Sequence, residues 1–166
     1  KIITKEWTSI LLETEPAAIA FHGRTRKEMS SVPAHWEEIG LAAELGKSTK
    51  TLIIGNGDIA DISDAKQKAK DYRLDGIMVG RGIFENPWFF NQEVNIKNIK
   101  PDERITLMLE HIDYFLKLWG QNKNFDAMKK FFKVYITNWP GAKALRAELM
   151  SVKNKQQVVD ILSEKP

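Results

Sequence analysis

Apolar positions change period repeatedly along the first ninety residues. Over residues 5–13, Trp7, Ile10 and Leu11 are spaced as on one face of a helix, whereas 17–21 is a short apolar run suited to a buried strand. Residues 34–45 return to helical spacing through Trp36, Ile39, Ala42, Ala43 and Leu45, and 51–54 is again a short apolar run. A helix is predicted over 61–72, its polar face carrying Lys66, Lys68 and Lys70, and a third strand over 75–79. Residues 83–90 read as a short helix interrupted by Pro87. Strands alternating with helices predict an α/β arrangement of parallel strands joined by right-handed crossovers. A closed (β/α)8 barrel takes ~250 residues, so three such repeats read as its last βα units. Three parallel strands alone leave an edge and a face uncovered, which predicts partner strands from outside the sequence.

Beyond Asn91 the period becomes helical throughout. A polar linker over 93–100 leads to Pro101 and Asp102, which open a helix with Ile105, Met108, Leu109, Ile112, Phe115, Leu116 and Trp119 along one stripe. Gly120 ends it. One helix is predicted over 125–139, with Phe125, Met128, Phe132, Tyr135 and Trp139 on one side and Lys129, Lys130 and Lys133 together on another. Pro140-Gly141 breaks it, and helices over 142–150 and 155–162 complete an antiparallel all-α bundle. The expected organisation is therefore an α/β domain over 1–92 and a helical domain over 93–166.

Composition narrows the class. With 43% hydrophobic and 28% charged residues, the chain is expected to be a soluble globular protein. No apolar run approaches the ~20 residues that span a bilayer, and there is no charged-then-apolar leader, so no membrane partner and a cytoplasmic location are expected. The absence of cysteine excludes disulfides, thiolate metal sites and a cysteine acid within these residues, and no metal site is expected. Net charge is +3, with 14 basic and 14 acidic side chains over 1–100 but 11 and 8 over 101–166. That C-terminal bias fits either an ordinary solvated helical surface or contact with nucleic acid.

Candidate chemistry gathers at the strand ends. The second and third predicted strands run into Gly55-Asn56-Gly57-Asp58-Ile59 and Gly80-Arg81-Gly82, whose small residues let backbone N–H groups approach an anion. Two such turns, one strand apart, read as a phosphate site of the kind formed by the last loops of a parallel barrel. His22 ends the first strand and shares a polar loop with Arg24 and Arg26, a cluster suited to an anionic ligand or an electron-rich ring. Asp58 reads equally as a ligand contact or a helix cap. His35 and His111 read as surface or packing residues.

The series His22-Gly23-Arg24-Thr25, Asn56-Gly57-Asp58-Ile59, Asp75-Gly76-Ile77-Met78-Val79-Gly80-Arg81-Gly82 and Asn86-Pro87-Trp88 resembles the second half of the flavin-dependent tRNA-dihydrouridine synthases. The match runs over roughly 17–90, and 128–150 resembles that family's C-terminal domain. The resemblance implies FMN-dependent reduction of uridine to 5,6-dihydrouridine in tRNA, with NADPH as reductant. It assigns His22, Asn56, Gly57, Asp58, Gly80 and Arg81 to the cofactor, the turns to its phosphate end. Arg24, Arg26, Lys129, Lys130 and Lys133 become candidates for tRNA contact. The family's proton-donating cysteine, its flavin-contacting lysine and its N-terminal strand have no counterpart here, so no catalytic residue is expected in this chain. The missing N-terminal half of the barrel becomes an expected partner, and the chain alone is expected to be inactive. Two other readings stay open: an FMN-dependent barrel oxidoreductase acting on a small molecule, and a truncated, non-enzymatic RNA-binding module.

Overall fold

A computed structural model describes residues 1–120 and 122–164; Gln121, Lys165 and Pro166, which fall in the predicted helical segment, lie outside the described residues. The chain divides into two compact units, Lys1–Gln92 and Glu93–Pro166.

The first unit is a mixed α/β structure. Its elements in order are α1 (Thr4–Leu12), β1 (Ala18–His22), α2 (Trp36–Gly46), β2 (Leu52–Asn56), α3 (Ile62–Asp71), β3 (Gly76–Met78) and α4 (Gly82–Glu85). The strands form one parallel sheet in the order β1-β2-β3. Ala18 pairs with Leu52, Ala20 with Ile54 and His22 with Asn56; Ile54 then pairs with Gly76 and Asn56 with Met78. Successive side chains point to opposite faces. One face carries Ile53, which is buried with Ala42 and Ala43 of α2 against the half-buried Ile19, Phe21 and Leu74. A second cluster around Trp36, Ile39, Ile59, Ala65 and Phe89 closes the same side. The opposite face carries Ala18, Ala20, Leu52 and Met78, all exposed.

Local chemistry sets the element ends. Asp61 caps α3 by accepting from the Asp64 N–H at 2.8 Å, and Asp64 accepts in turn from the Ala60 N–H at 3.0 Å. β2 runs to Asn56, two residues beyond the predicted end, because Gly55 and Asn56 continue the ladder against Phe21 and His22. The predicted helix over 83–90 is only α4, which stops before Asn86-Pro87; the residue preceding proline disfavours helical geometry, and Asn86 is extended.

The second unit consists of a 3-10 turn (Ile96–Asn98), α5 (Pro101–Trp119), α6 (Asp126–Lys129), α7 (Phe132–Tyr135), α8 (Ala142–Leu149) and α9 (Lys155–Ser163). Glu103 accepts from the Lys100 N–H at 2.8 Å at the start of α5, beside Pro101 in the first turn. Met108, Ile112 and Phe115 of α5 pack with Met128, Phe132, Leu145, Leu149 and Val158 in one core.

The expected single helix over 125–139 is two short helices. Between them the Phe131 N–H bonds the Met128 carbonyl and the Val134 N–H bonds the Phe131 carbonyl, both three residues back. This tighter winding lines up Met128, Phe131 and Val134, so Phe131 and Val134 reach the core from outside the stripe that Phe132 and Tyr135 occupy. The expected common lysine face is lost with the helix. Lys129 is buried, its side chain 9% exposed and paired with Asp126 at 2.6 Å, while Lys130 lies over the Phe131 ring and Lys133 is exposed. Among the described residues no helix is long and apolar enough to cross a membrane.

Candidate functional site

The C-terminal ends of the three parallel strands surround an open cavity of about 560 Å³, lined by His22, Asn56, Asp58, Gly80, Arg81 and neighbouring residues. That size is ordinary for a small-molecule site. Each wall comes from a different strand end, so parallel pairing brings together residues nearly sixty positions apart. Asn56 links two of those ends: its Nδ2 donates to the Met78 carbonyl at 2.7 Å, and its own carbonyl accepts from the Gly23 N–H at 2.9 Å. Among the described residues no donor is bonded to the Asn56 Oδ1, which is left as an acceptor.

Close approach explains the glycines. Gly57 has φ +150°, and a Cβ there would lie 2.5 Å from the Ala34 Cβ. A Cβ on Gly82 would lie 2.7 Å from the Ile59 carbonyl oxygen, so the turn after β3 is pressed against the loop after β2. Gly80 differs, since among the described residues beyond its chain neighbours its added Cβ would meet only Asn56 Nδ2 within 4 Å, at 3.8 Å. The backbone of Gly80 is open to the cavity. Among the described residues no carbonyl accepts from the N–H of Arg81 or Gly82.

Asp58 is the electrostatic centre of the rim. Its Oδ2 accepts from the Arg24 guanidinium and from the Ala34 N–H at 3.1 Å, and its Oδ1 accepts from Arg81 Nη2 at 3.2 Å. Burial raises the Asp58 carboxyl, but the bonds from Arg24 and Ala34 and the charges of Arg24 and Arg81 outweigh it and hold the group below its ordinary value. Asp58 therefore remains a carboxylate. It is no helix cap, since Asp61 fills that position in α3.

The arginines are placed differently from one another. Arg24 is turned inward, its side chain 4% exposed, with Nε donating to the Val32 carbonyl at 2.6 Å. The Arg81 side chain is 63% exposed, and its Nη1 donates to Ser30 Oγ at 2.9 Å. Arg26 and His22 are exposed.

Sequence reasoning missed the loop that carries Ser30. There Glu28 accepts from the Thr25 N–H and hydroxyl, each at 2.8 Å, and pairs with His35 Nε2 at 3.0 Å. The Thr25 N–H first, and then His35, hold the Glu28 carboxyl down at about 2. No motif marks Ser30 or Glu28; the only signal is that polar residues cluster between β1 and α2. In the second unit His111 packs against Phe131, and its Nδ1 meets the Tyr135 hydroxyl at 2.8 Å. Burial lowers His111 and pushes Tyr135 up to about 12. Among the described residues no cluster of three or more His, Asp or Glu side chains could hold a metal.

A family profile described as dihydrouridine synthase matches residues 6–165. A probable tRNA-dihydrouridine synthase of Staphylococcus aureus (strain MRSA252) is 36% identical over 163 residues, which are 96% of this chain and 49% of that protein. A protein of the same description from Staphylococcus epidermidis (strain ATCC 12228) is 36% identical over 161 residues, 95% of this chain and 49% of the relative. Probable tRNA-dihydrouridine synthase 2 of Bacillus subtilis (strain 168) is 35% identical over 163 residues, 96% of this chain and 50% of the relative. The chain thus spans about half the length of the curated relatives it matches.

Proposed function

Because the chain belongs to the dihydrouridine synthase family, we propose that it is the C-terminal portion of a flavin-dependent enzyme that reduces uridine to 5,6-dihydrouridine in tRNA. The observation that carries this reading is the cavity where His22, Asn56, Gly80 and Arg81 converge from three strand ends. The residues present fit FMN. A phosphate needs a cationic donor and approachable backbone, and the cavity offers the exposed Arg81 guanidinium beside the open Gly80 turn. Bound there, FMN, re-reduced by NADPH, supplies the hydride for the C5–C6 double bond of uridine.

The remaining roles belong to this chain's own side chains. Arg81 and the Gly80–Gly82 backbone bind the phosphate end, Asn56 offers its free acceptor to the cofactor, and His22 meets the flavin from the end of β1. The 166 residues hold no cysteine, so a cysteine acid of the kind the family resemblance implies would be supplied from outside them. The exposed sheet face carrying Ala18, Ala20, Leu52 and Met78 is where the other strands of a barrel close over the cavity. Residues 93–166 form the tRNA-binding part, with the exposed Lys130 and Lys133 as the lysines that meet phosphates, and Arg26 contributes from the first unit. We assign no RNA contact to Arg24 and Lys129, whose charged groups are paired with Asp58 and Asp126.

The test uses the intact protein that contains this chain. Flavin absorption of the purified material and dihydrouridine content of uridine-containing tRNA incubated with it and NADPH are measured together. Stoichiometric flavin with new dihydrouridine is expected. Flavin without tRNA reduction turns the reading toward a small-molecule oxidoreductase, and absence of flavin overturns it.

A further inference from the structure

Asp58 stands where a carboxylate is least suited to touch an anion, lining the same cavity as Arg81. Both of its oxygens are already engaged, Oδ2 by Arg24 and the Ala34 N–H and Oδ1 by Arg81. The two guanidiniums it joins differ in reach. Arg24 is enclosed and held a second time by the Val32 carbonyl, whereas Arg81 is exposed and held a second time by Ser30 Oγ. Two arginines around one carboxylate leave one net positive charge, and the arginine that can present it is Arg81.

We infer that Asp58 is a positioning residue for the anionic group of the cavity's ligand: its carboxylate acts by holding Arg81 at the cavity, with Ser30 as the second anchor, and not by meeting the ligand itself. The inference rests on the phosphate-binding reading of the cavity. An arginine already held between two anchors loses less side-chain freedom when an anion arrives, so the held geometry binds more tightly than a free side chain of equal charge. Asp58 thereby couples three segments. It joins the loop after β1 through Arg24, the approach to α2 through Ala34, and the turn after β3 through Arg81.

Charge alone and positioning predict opposite outcomes for Asp58→Asn. Removing a negative charge beside an anion site strengthens anion binding if charge is all that matters. Releasing Arg81 weakens it if Asp58 is a positioning residue. The experiment titrates inorganic phosphate into the intact protein containing this chain, stripped of bound flavin, at constant ionic strength by calorimetry, and separately titrates FMN into the same flavin-free protein by quenching of its fluorescence. Asp58→Asn is expected to weaken phosphate binding about tenfold, the scale of a lost charge-assisted bond. In an Arg81→Ala background the same substitution is expected to have no further effect, because Asp58 acts through Arg81; a merely structural role would weaken binding in both backgrounds. Arg81→Lys keeps the charge on an exposed side chain and loses the two-point hold, so it serves even where Asp58→Asn fails to fold. It is expected to weaken phosphate about as much as Arg81→Ala does. Wild-type affinity in Arg81→Lys, or tighter phosphate binding in Asp58→Asn, overturns the inference. If the wild type binds phosphate but not FMN, the cofactor reading falls while the phosphate series still decides the role of Asp58. If it binds neither, both fall.

Discussion

Replacing Gly57 by alanine tests the packing beneath the cavity. The new Cβ would lie 2.5 Å from the Ala34 Cβ, where carbon atoms ordinarily meet at about 3.5–4.0 Å. Backbone at φ +150° adds about 1–3 kcal/mol of strain for any residue other than glycine. Relief of the clash moves Ala34, whose N–H donates to Asp58 Oδ2 at 3.1 Å, and a bond to a charged acceptor is worth about 1.5–3 kcal/mol. The two effects together give roughly 2.5–6 kcal/mol of local destabilisation. In the intact protein this is read as loss of hydrogen-exchange protection in peptides covering β1 and β2. The double variant Gly57→Ala/Ala34→Gly removes the clash and keeps the backbone strain, so it recovers part of the loss once the effect of Ala34→Gly alone is subtracted. That single change costs about 0.4–1 kcal/mol through the unfolded chain. Protection of Gly57→Ala within about 0.5 kcal/mol of wild type, the spread of surface substitutions, would refute the reasoning. So would an equal loss in the single and double variants, which would show that Ala34 is not the obstacle.

Three further outcomes are expected. Glu28, held down at about 2 from 4.5, contributes order to the loop after β1 above about pH 4.5 and loses that contribution as the pH falls toward 2; protection of amides over 24–35, corrected for intrinsic exchange, should fall across that window, and Glu28→Gln should remove the dependence. The combined change Lys130→Ala and Lys133→Ala should flatten the salt dependence of tRNA binding by about one unit of slope for each phosphate no longer neutralised; Lys129→Ala should instead destabilise the helical unit, and a salt slope that responds to Lys129 but not to the other two would reverse the assignment. A preparation verified to contain only these 166 residues should neither retain stoichiometric FMN nor form dihydrouridine, and measurable product from it would show that the acid and the rest of the cradle are dispensable.

What could be read along the chain was whatever depends on neighbours in sequence. The stripe from Ile105 to Trp119 specifies α5 because a 3.6-residue period and a first-turn proline are local facts. The three strands were legible for the same reason, except that β2 extends through Asn56 by pairing with β1, a partner more than thirty positions away. The 125–139 segment differs because the chain tightens to three-residue hydrogen bonds at Phe131 and Val134, which sets the half-buried Phe131 against the core beside the buried Phe132. At the site, glycine spacing pointed to a close-approach turn. The partners of Arg24 and Arg81 were not legible, because Asp58 and Ser30 lie 34 and 51 positions away from them and are joined only by the fold.

The composition of the strands ties the fold to the chemistry. In β1 and β2 both parities are largely apolar, Ala18-Ile19-Ala20-Phe21 and Leu52-Ile53-Ile54, the pattern of parallel strands covered on both faces. Among the described residues the parity of Ile53 is closed over by helices, whereas Leu52 and Met78 on the other parity are exposed. His22 and Asn56 pair in register on that exposed parity, one at the end of each strand, beside Met78. Whatever covers the apolar row therefore also approaches the cavity from the side where His22 and Asn56 stand. Burial of the row and completion of the proposed flavin site then become one event rather than two, which is why these 166 residues alone should lose flavin even with Arg81, Asn56 and His22 all in place.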